Sequence, residues 1–546
     1  MSGHATPADA RRAASLLLLR DGADGLEVLM LRRAEREGDH RGGAAVFPGG
    51  VLDARDREAH GLCDGADDAG TSARLGLRQG GLDYVVAALR ETFEEVGLLL
   101  ANGSFDLAAL QPWRNRLQDG SAGIAEFCAA AGLRLDAAAL VYHSHWLTPP
   151  GMAKRFDTRF FAAHAPAGQE AQADGGEAQA LMWLAPRAAL DPALGLKLLP
   201  VTQRTLQDLA RSATAEAALA EARARRDIPL IMPRAATSSR GRRTVMPDEL
   251  PYAEIARLDP EGRGDVSCEL RPGAPVRLSP TILRLTAPNP GPMTGPGTNS
   301  YLVGAPGAWT VIDPGPLSES HLQALLAAGA GGITRILVTH THRDHSPGAA
   351  ALAQVTGAPV LGRIARHPQW QEEGFAPTIE LQGGERLPLP GGAHLRVIHT
   401  PGHASNHLCY LLEEERTLFT GDHVMQGSTV VINPPDGEMA AYLAALRGLL
   451  ELDLEWLAPG HGFLVGAPQA AVRALIAHRL RREAKVLEQL HAASPLAIEA
   501  LLPLVYDDVP PARHAMAERS LLAHLLKLEA EGAVYRDGER WVSAGG

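Results

Sequence analysis

The sequence predicts an α/β and α+β multidomain protein, on three observations. The chain has 546 residues, too many for one core; at roughly 150 residues per domain, about three or four are expected. Short apolar runs punctuated by turn residues begin near residue 13 and again near Thr281. From about residue 466 the pattern turns helical.

The elements follow in order. AASLLLL, LEVLMLRR and AAVFPGGVLD, within 13–55, read as strands with turns between them. YVVAALRETFEEVG (84–97) has helical periodicity and stops at Gly97, a suitable C-terminal residue. A long surface helix is expected over about 201–226. The stretch 233–275 is rich in Pro, Arg, Gly and Ser, so it should contain a boundary. ILRLTA, SYLVG, WTVID, RILVTH and LRVIHT read as strands, and HLCYLLEEERTLFTGD as a hairpin ending at Asp422. AERSLLAHLLKLEAEG reads as a helix, and GAVYRDGERWVS as a two-stranded wing. The expected division is 1–260, a linker 261–275, 276–466 and 467–546.

Composition narrows the partners. Hydrophobic residues at 45% and charged residues at 21% suit a globular chain. A formal net charge of −11 excludes coating nucleic acid by bulk charge, though a local basic groove stays open. The four cysteines form no CxxC pair, which argues against a disulfide framework or a cysteine zinc site and fits a reducing compartment. The first apolar run is followed at once by Arg20 and Asp21, and no run of about 18 apolar residues occurs. No signal peptide, no transmembrane helix and a cytoplasmic location are expected.

THTHRDHSPG (339–348) is the densest chemical signal. His340 and His342 sit two apart just past a strand, so both imidazoles can face one point. Asp344 and His345 follow on a turn and can face a second. Zinc favours such N and O ligands. His403 in HTPGH, Asp422 in TGDH and His461 in PGHG each lie in a glycine-containing turn after a strand-like run.

The series His340-x-His342-x-Asp344-His345, His403, Asp422, His461 resembles the five-part signature of the metallo-β-lactamase fold, with Asp313 in VIDPG matching its structural aspartate. The resemblance implies an αββα sandwich holding two Zn²⁺. His340, His342 and His403 would hold one metal, and Asp344, His345 and His461 the other, with Asp422 bridging. Asp344 is also a candidate to orient or deprotonate the attacking water. NPGPMTGPGTNSYLVG (289–304), the PGHG turn and the helical tail are similar to the beta-lactamase-like protein 2 group, which implies single-strand endoribonuclease activity and single-stranded RNA as a partner. Asn299 is a candidate substrate contact. His478, Arg479, Arg481, Arg482 and Lys485 form a basic run, either an RNA contact or a solvated helix face. The alternative within the same fold is a thioesterase of the glyoxalase II branch.

ALRETFEEVGLLL (88–100) is the second constellation. Glu91 lies one turn before Glu94 and Glu95, so three carboxylates share a helix face. Such clustering is unfavourable without a cation, and Mg²⁺ prefers oxygen ligands. Arg90 to Leu98 resembles the second half of the Nudix box, and VFPGGVLDARD its first half. The resemblance is to an interrupted box: Asp56 replaces the usual glutamate, and 33 residues separate it from Arg90. With SHWLTPPGMAKRFDTRFFAA (144–163), it is similar to the coenzyme A diphosphatase-like Nudix subgroup. That implies an α/β/α sandwich, Mg²⁺ or Mn²⁺ on Glu91, Glu94 and Glu95, water activated by Glu94 or Glu95, and a nucleotide or coenzyme A-type substrate. Arg90 would pair with a carboxylate and fix the helix. Arg155 and Arg159 are candidate phosphate contacts or edge-strand features. The Nudix half could instead be a binding module.

Overall fold

The strands expected at 13–33 form the middle of a mixed sheet. Ala10–Gly22 pairs antiparallel with Gly25–Arg33 on one side and parallel with Arg155–His164 on the other. The sheet runs Lys197–Leu198, Ala44–Val46, Gly25–Arg33, Ala10–Gly22, Arg155–His164, Val141–Leu147, Leu230–Ile231. The structure, a computed structural model, describes residues 7–35, 42–176, 178–330, 332–367 and 371–544.

By its internal contacts the chain divides into two compact units. The first is 1–235 with 242–247 and 261–264; the second is 236–241, 248–260 and 265–546. The stretch 236–264, expected to end the first domain and begin a linker, is therefore shared between units. It includes a helix, Tyr252–Leu258, that belongs to the second.

In the first unit the sheet is covered on both faces, as an α/β/α sandwich. Helix Gly81–Val96 packs on one face, where Leu82, Val85, Val86, Leu89 and Phe93 join Leu16, Leu18 and Leu29 of the strands. It ends at Gly97, whose φ of 69° is left-handed and whose N–H donates to the Phe93 carbonyl at 3.0 Å. On the other face the expected long helix over 201–226 is two helices, Pro200–Leu209 and Ala215–Ala224. The break has a local cause: Thr214 is an N-cap, its side chain accepting the Ala217 N–H at 3.2 Å.

The second unit stacks two sheets. One contains Ile282–Thr286, Asn299–Ala305, Ala308–Ile312 and Ile333–Leu337. The other contains His394–His399, Leu408–Leu412, Thr417–Gly421 and Trp456–Pro459. Tyr301, Val303, Ile312 and Leu337 of the first meet Val397, Tyr410 and Phe419 of the second in one core. Helices Glu319–Ala328 and Gly348–Thr356 cover the outer face of the first sheet, and Met439–Leu449 that of the second, giving an αββα sandwich.

The tail is helix Pro468–Ala493, two further helices and a small antiparallel sheet. The two-stranded wing has a third short strand, Leu496–Ala497, on Arg540–Ser543. Among the described residues no helix is long and apolar enough to cross a membrane.

Candidate active sites

Seven His and Asp side chains of the second unit converge where loops leave the strand ends. Ile333–Leu337 leads to His340, His342, Asp344 and His345. His394–His399 leads to His403, Thr417–Gly421 to Asp422, and Trp456–Pro459 to His461. Donor atoms of His340, His342 and His403 lie within 4.8 Å of one another, as do those of Asp344, His345 and His461. Asp422 sits between: one carboxylate oxygen is 3.7 Å from His403 Nε2, the other 3.4 Å from His345 Nε2 and 3.3 Å from His461 Nε2.

Three of the imidazoles are aimed from behind. Asp313 accepts from His345 Nδ1 at 2.8 Å and takes the Thr339 N–H and hydroxyl at 2.7 Å each. It does so at φ 50°, a strained conformation for a non-glycine residue. His403 Nδ1 faces the Val431 carbonyl at 2.7 Å, and His461 Nδ1 the Gly297 carbonyl at 3.2 Å. These bonds fix the tautomer and turn the other nitrogen inward. Gly460 is required here, because an added Cβ would lie 2.7 Å from His345 Cε1 and 2.8 Å from an Asp422 oxygen.

The cluster fits a metal. Nε2 of His340, His345 and His461 and Oδ1 of Asp422 are buried and make no hydrogen bond among the described residues. Burial and the neighbouring imidazole of His403 push His342 down to about 3, so the ring is neutral near pH 7, the form that can bind a metal. Burial would also lower His461, yet Asp422 and Asp344 hold it up at about 9: the carboxylate end demands positive charge.

The first unit builds a different site. Arg90 binds Asp56 at 2.8 and 3.3 Å, Glu91 at 2.9 Å, Glu94 at 3.1 Å and the Val51 carbonyl at 3.0 Å. The inserted residues form most of the 3-10 helix Ala54–Leu62, helix Asp68–Arg74 and the first turns of Gly81–Val96, with Ala59, Leu75 and Leu82 in the core, and Asp56 and Arg90 still meet. Glu95 accepts the Gly49 N–H at 2.8 Å, and a Cβ on Gly50 would lie 2.4 Å from Glu91. Burial, then Glu94, push Glu91 up to about 7 against the pull of Arg90. Three carboxylates share one guanidinium.

Glu91, Glu94 and Glu95 line a cleft of about 770 Å³ together with Phe47, Trp146, Lys154, Phe156, Thr158 and Phe160. Arg155 and Arg159 are not in it. Arg155 binds Asp9 and the Thr148 carbonyl, and Arg159 is 1% exposed, on the Tyr84 ring and Asp157. The strand alternates, and the expected phosphate contacts are on its far face. Asn299 is likewise no substrate contact: it is fully buried and donates to the Pro459 and Gly462 carbonyls at 3.1 and 2.8 Å, bracing the His461 turn. Sequence reading missed Lys154 and the aromatics, which the alternation of KRFDTRFF could have offered. It also missed Thr339 and Val431, of which the second acts only through its backbone.

The basic run on helix Pro468–Ala493 is mostly consumed internally. Arg479 and Arg482 are buried rather than solvated. Arg479 bonds the Val430 carbonyl, and Arg482 pairs with Asp508 at 2.9 and 3.0 Å. Lys485 pairs with Asp507, leaving Arg481 exposed.

Comparison with known proteins finds three matching families. Residues 293–461 match the Metallo-beta-lactamase superfamily, 497–541 the Beta-lactamase associated winged helix domain, and 77–195 the NUDT19 Nudix domain. Among curated relatives, the Atrochrysone carboxyl ACP thioesterase dmxR1 of Cryptosporiopsis sp. (strain 8999) is 30% identical over 217 residues; the match covers 39% of this chain and 64% of that protein. The Beta-lactamase-like protein 2 homolog of Drosophila melanogaster is 29% identical over 272 residues, 47% of this chain and 91% of that one. Lactamase-like protein vrtG of Penicillium aethiopicum is 35% identical over 221 residues, 40% and 68% respectively. Fold and site together define a metal-dependent hydrolase. The chain belongs to the metallo-β-lactamase superfamily, and carries a Nudix domain before and a winged-helix domain after the superfamily region.

Proposed function

We propose that the second unit is a two-zinc hydrolase of acyl thioesters, and that the first cleaves a phosphoanhydride in a nucleotide or coenzyme A-type molecule. His340, His342 and His403 would hold one zinc, Asp344, His345 and His461 the other, with Asp422 shared. When bound, the ions supply Lewis acidity and a water acidic enough to attack near pH 7. Asp313 and the Val431 and Gly297 carbonyls keep the imidazoles aimed. Asp344 has the more open carboxylate, 27% exposed against 11% for Asp422, which supports it as the group that orients or deprotonates the nucleophile.

One observation favours the thioester over RNA. The helix that offered a basic face spends Arg479, Arg482 and Lys485 on internal partners. In the tail helix His514–Ala530, Lys527 is held by Glu483 and Glu531 at 2.8 Å each, which leaves Arg519 as its exposed cation. Phosphate-backbone binding needs free cations. The likeness to the Atrochrysone carboxyl ACP thioesterase dmxR1 supports the same reading.

In the first unit Glu91, Glu94 and Glu95 would hold Mg²⁺ or Mn²⁺, which offsets the carboxylate excess and binds substrate phosphate. Arg90 fixes the helix through Asp56, and Glu94 or Glu95 takes the water proton.

The test assays full-length protein against an acyl-pantetheine thioester and a labelled single-stranded RNA, with and without a zinc chelator. Zinc-dependent thioester turnover is expected. RNA cleavage without thioester turnover, weakening steeply between about 50 and 200 mM salt, overturns the reading. For the first unit, Glu94→Gln should abolish Mg²⁺-dependent phosphoanhydride cleavage and spare the zinc reaction. No cleavage by wild type with any divalent ion would make that unit a binding module.

A further inference from the structure

A helix that precedes the superfamily region in sequence reaches the metal centre from behind. Tyr252–Leu258 lies well before residues 293–461. Its Glu254 is 2% exposed. Arg284 donates to both carboxylate oxygens, at 2.6 and 2.8 Å, and the backbone N–H of Leu464 donates to Oε2 at 2.8 Å. Leu464 is the third residue after His461. A second tie runs beside it: Gln426, four residues after Asp422, accepts the Phe463 N–H and donates to the Leu250 carbonyl, both at 2.8 Å. Arg257 pins the far end of the helix, 3.2 Å from Glu415 and 4.8 Å above the Trp456 ring.

The turn these bonds hold needs outside support. His461 is flanked by Gly460 and Gly462, the latter at φ 94°, so the backbone there has little intrinsic preference. Asn299 and Tyr301 hold its carbonyl side, at Pro459 and Gly462. Glu254 and Gln426 hold the amides that follow, at Leu464 and Phe463. The bond from Leu464 is charge-assisted and buried, so its loss leaves an amide without an acceptor.

We propose that Glu254 is a positioning residue for the metal centre. By accepting the Leu464 N–H it fixes the turn that presents His461. The proposal rests on reading the His/Asp cluster as a two-zinc site.

The experiment uses two double variants of the full chain. Glu254→Gln with Arg284→Met keeps an oxygen for the Leu464 amide and leaves no buried charge unpaired. Glu254→Leu with Arg284→Met removes the oxygen as well. Buried ion pairs tolerate such joint apolar replacement. Zinc content, chelator competition, thermal melting and the visible spectrum of the Co²⁺-substituted protein are measured. The Gln/Met pair should keep two zinc equivalents and the wild-type Co²⁺ spectrum. The Leu/Met pair should melt alongside it, yet hold its weaker zinc about tenfold or more less tightly, with an altered spectrum. Gln426→Leu cuts the second tie without touching Glu254, and should alter the same Co²⁺ band even if the Leu/Met pair does not fold. Identical metal affinity and spectra in the two double variants overturn the proposal, as does a wild-type spectrum in Gln426→Leu. Wild-type protein that binds no zinc overturns the two-zinc reading itself, before any variant is compared.

Discussion

Gly460→Ala should empty half of the zinc site while leaving the fold intact. A Cβ at this position would sit 2.7 Å from His345 Cε1 and 2.8 Å from Asp422 Oδ1, where ordinary contact begins at 3.4 Å. The turn or the ligands must therefore move by about 0.7 Å. The turn is not free to do so, because the Gly460 N–H donates to the Gly421 carbonyl at 2.8 Å and its carbonyl accepts the Asn299 N–H at 2.7 Å. Metal–ligand distances tolerate about 0.2 Å, so the displacement falls on His345 and Asp422. Loss of an orienting partner alone typically costs 10–100-fold in metal affinity; displacing two ligands should cost about 100-fold or more, roughly 2.7 kcal/mol. Gly448→Ala is the matched control: it lies in helix Met439–Leu449, and its Cβ meets nothing within 4 Å. That change should stabilise by about 0.5–1 kcal/mol. Elemental analysis, chelator competition and thermal melting of both full-length variants make the comparison. A Gly460→Ala protein with wild-type zinc content and turnover would refute the steric reasoning.

Two other outcomes are expected. Lys154→Ala should raise KM for a phosphoanhydride substrate about tenfold, the worth of one charge-assisted hydrogen bond, whereas Arg155→Ala should leave it unchanged; steady-state kinetics of both decide which face of the strand meets substrate. His143 is 3% exposed, and its burial, with Arg225 nearby, pulls it from 6.5 down to about 4. Its folded value is depressed, so between pH 6.5 and 4 the unfolded chain binds the extra proton and stability falls as pH falls. His143→Gln should remove about 2 kcal/mol of the stability difference between pH 7.5 and 5, read by urea unfolding at each pH; an unchanged difference would sink the assignment.

The His/Asp cluster was legible because the sequence carries it as short turns after apolar strand-like runs, and a strand end is a rigid place to mount a side chain. His403, Asp422 and His461 each announce themselves by an adjacent glycine. The carboxylate face of helix Gly81–Val96 was legible for a similar reason, since helical spacing alone puts Glu91 beside Glu94 and Glu95. Asp56 was less so. Its contact with Arg90 spans 34 positions, and only the folding of the residues between them restores it. The break in the helix expected over 201–226 turned on one N-cap threonine, a weak signal inside a helical pattern.

The basic run at 478–485 shows the limit most clearly. Its charges are plain in the sequence, but charge is a property of a residue and availability is a property of its neighbours. Asp508, Asp507 and the Val430 carbonyl, supplied by other segments, decide that three of those cations are already engaged. KRFDTRFF poses the same problem in another form. A strand has two faces and a period of two, so the sequence determined that Lys154, Phe156, Thr158 and Phe160 lie on one side and Arg155 and Arg159 on the other. Only the packing of helix Gly81–Val96 against the sheet, which puts Tyr84 over Arg159, decided which side is the cleft. The sequence thus determined the donor types and local periodicities, which depend on near neighbours along the chain. The tertiary structure decided which donors face a common space, because that depends on contacts between residues far apart in it.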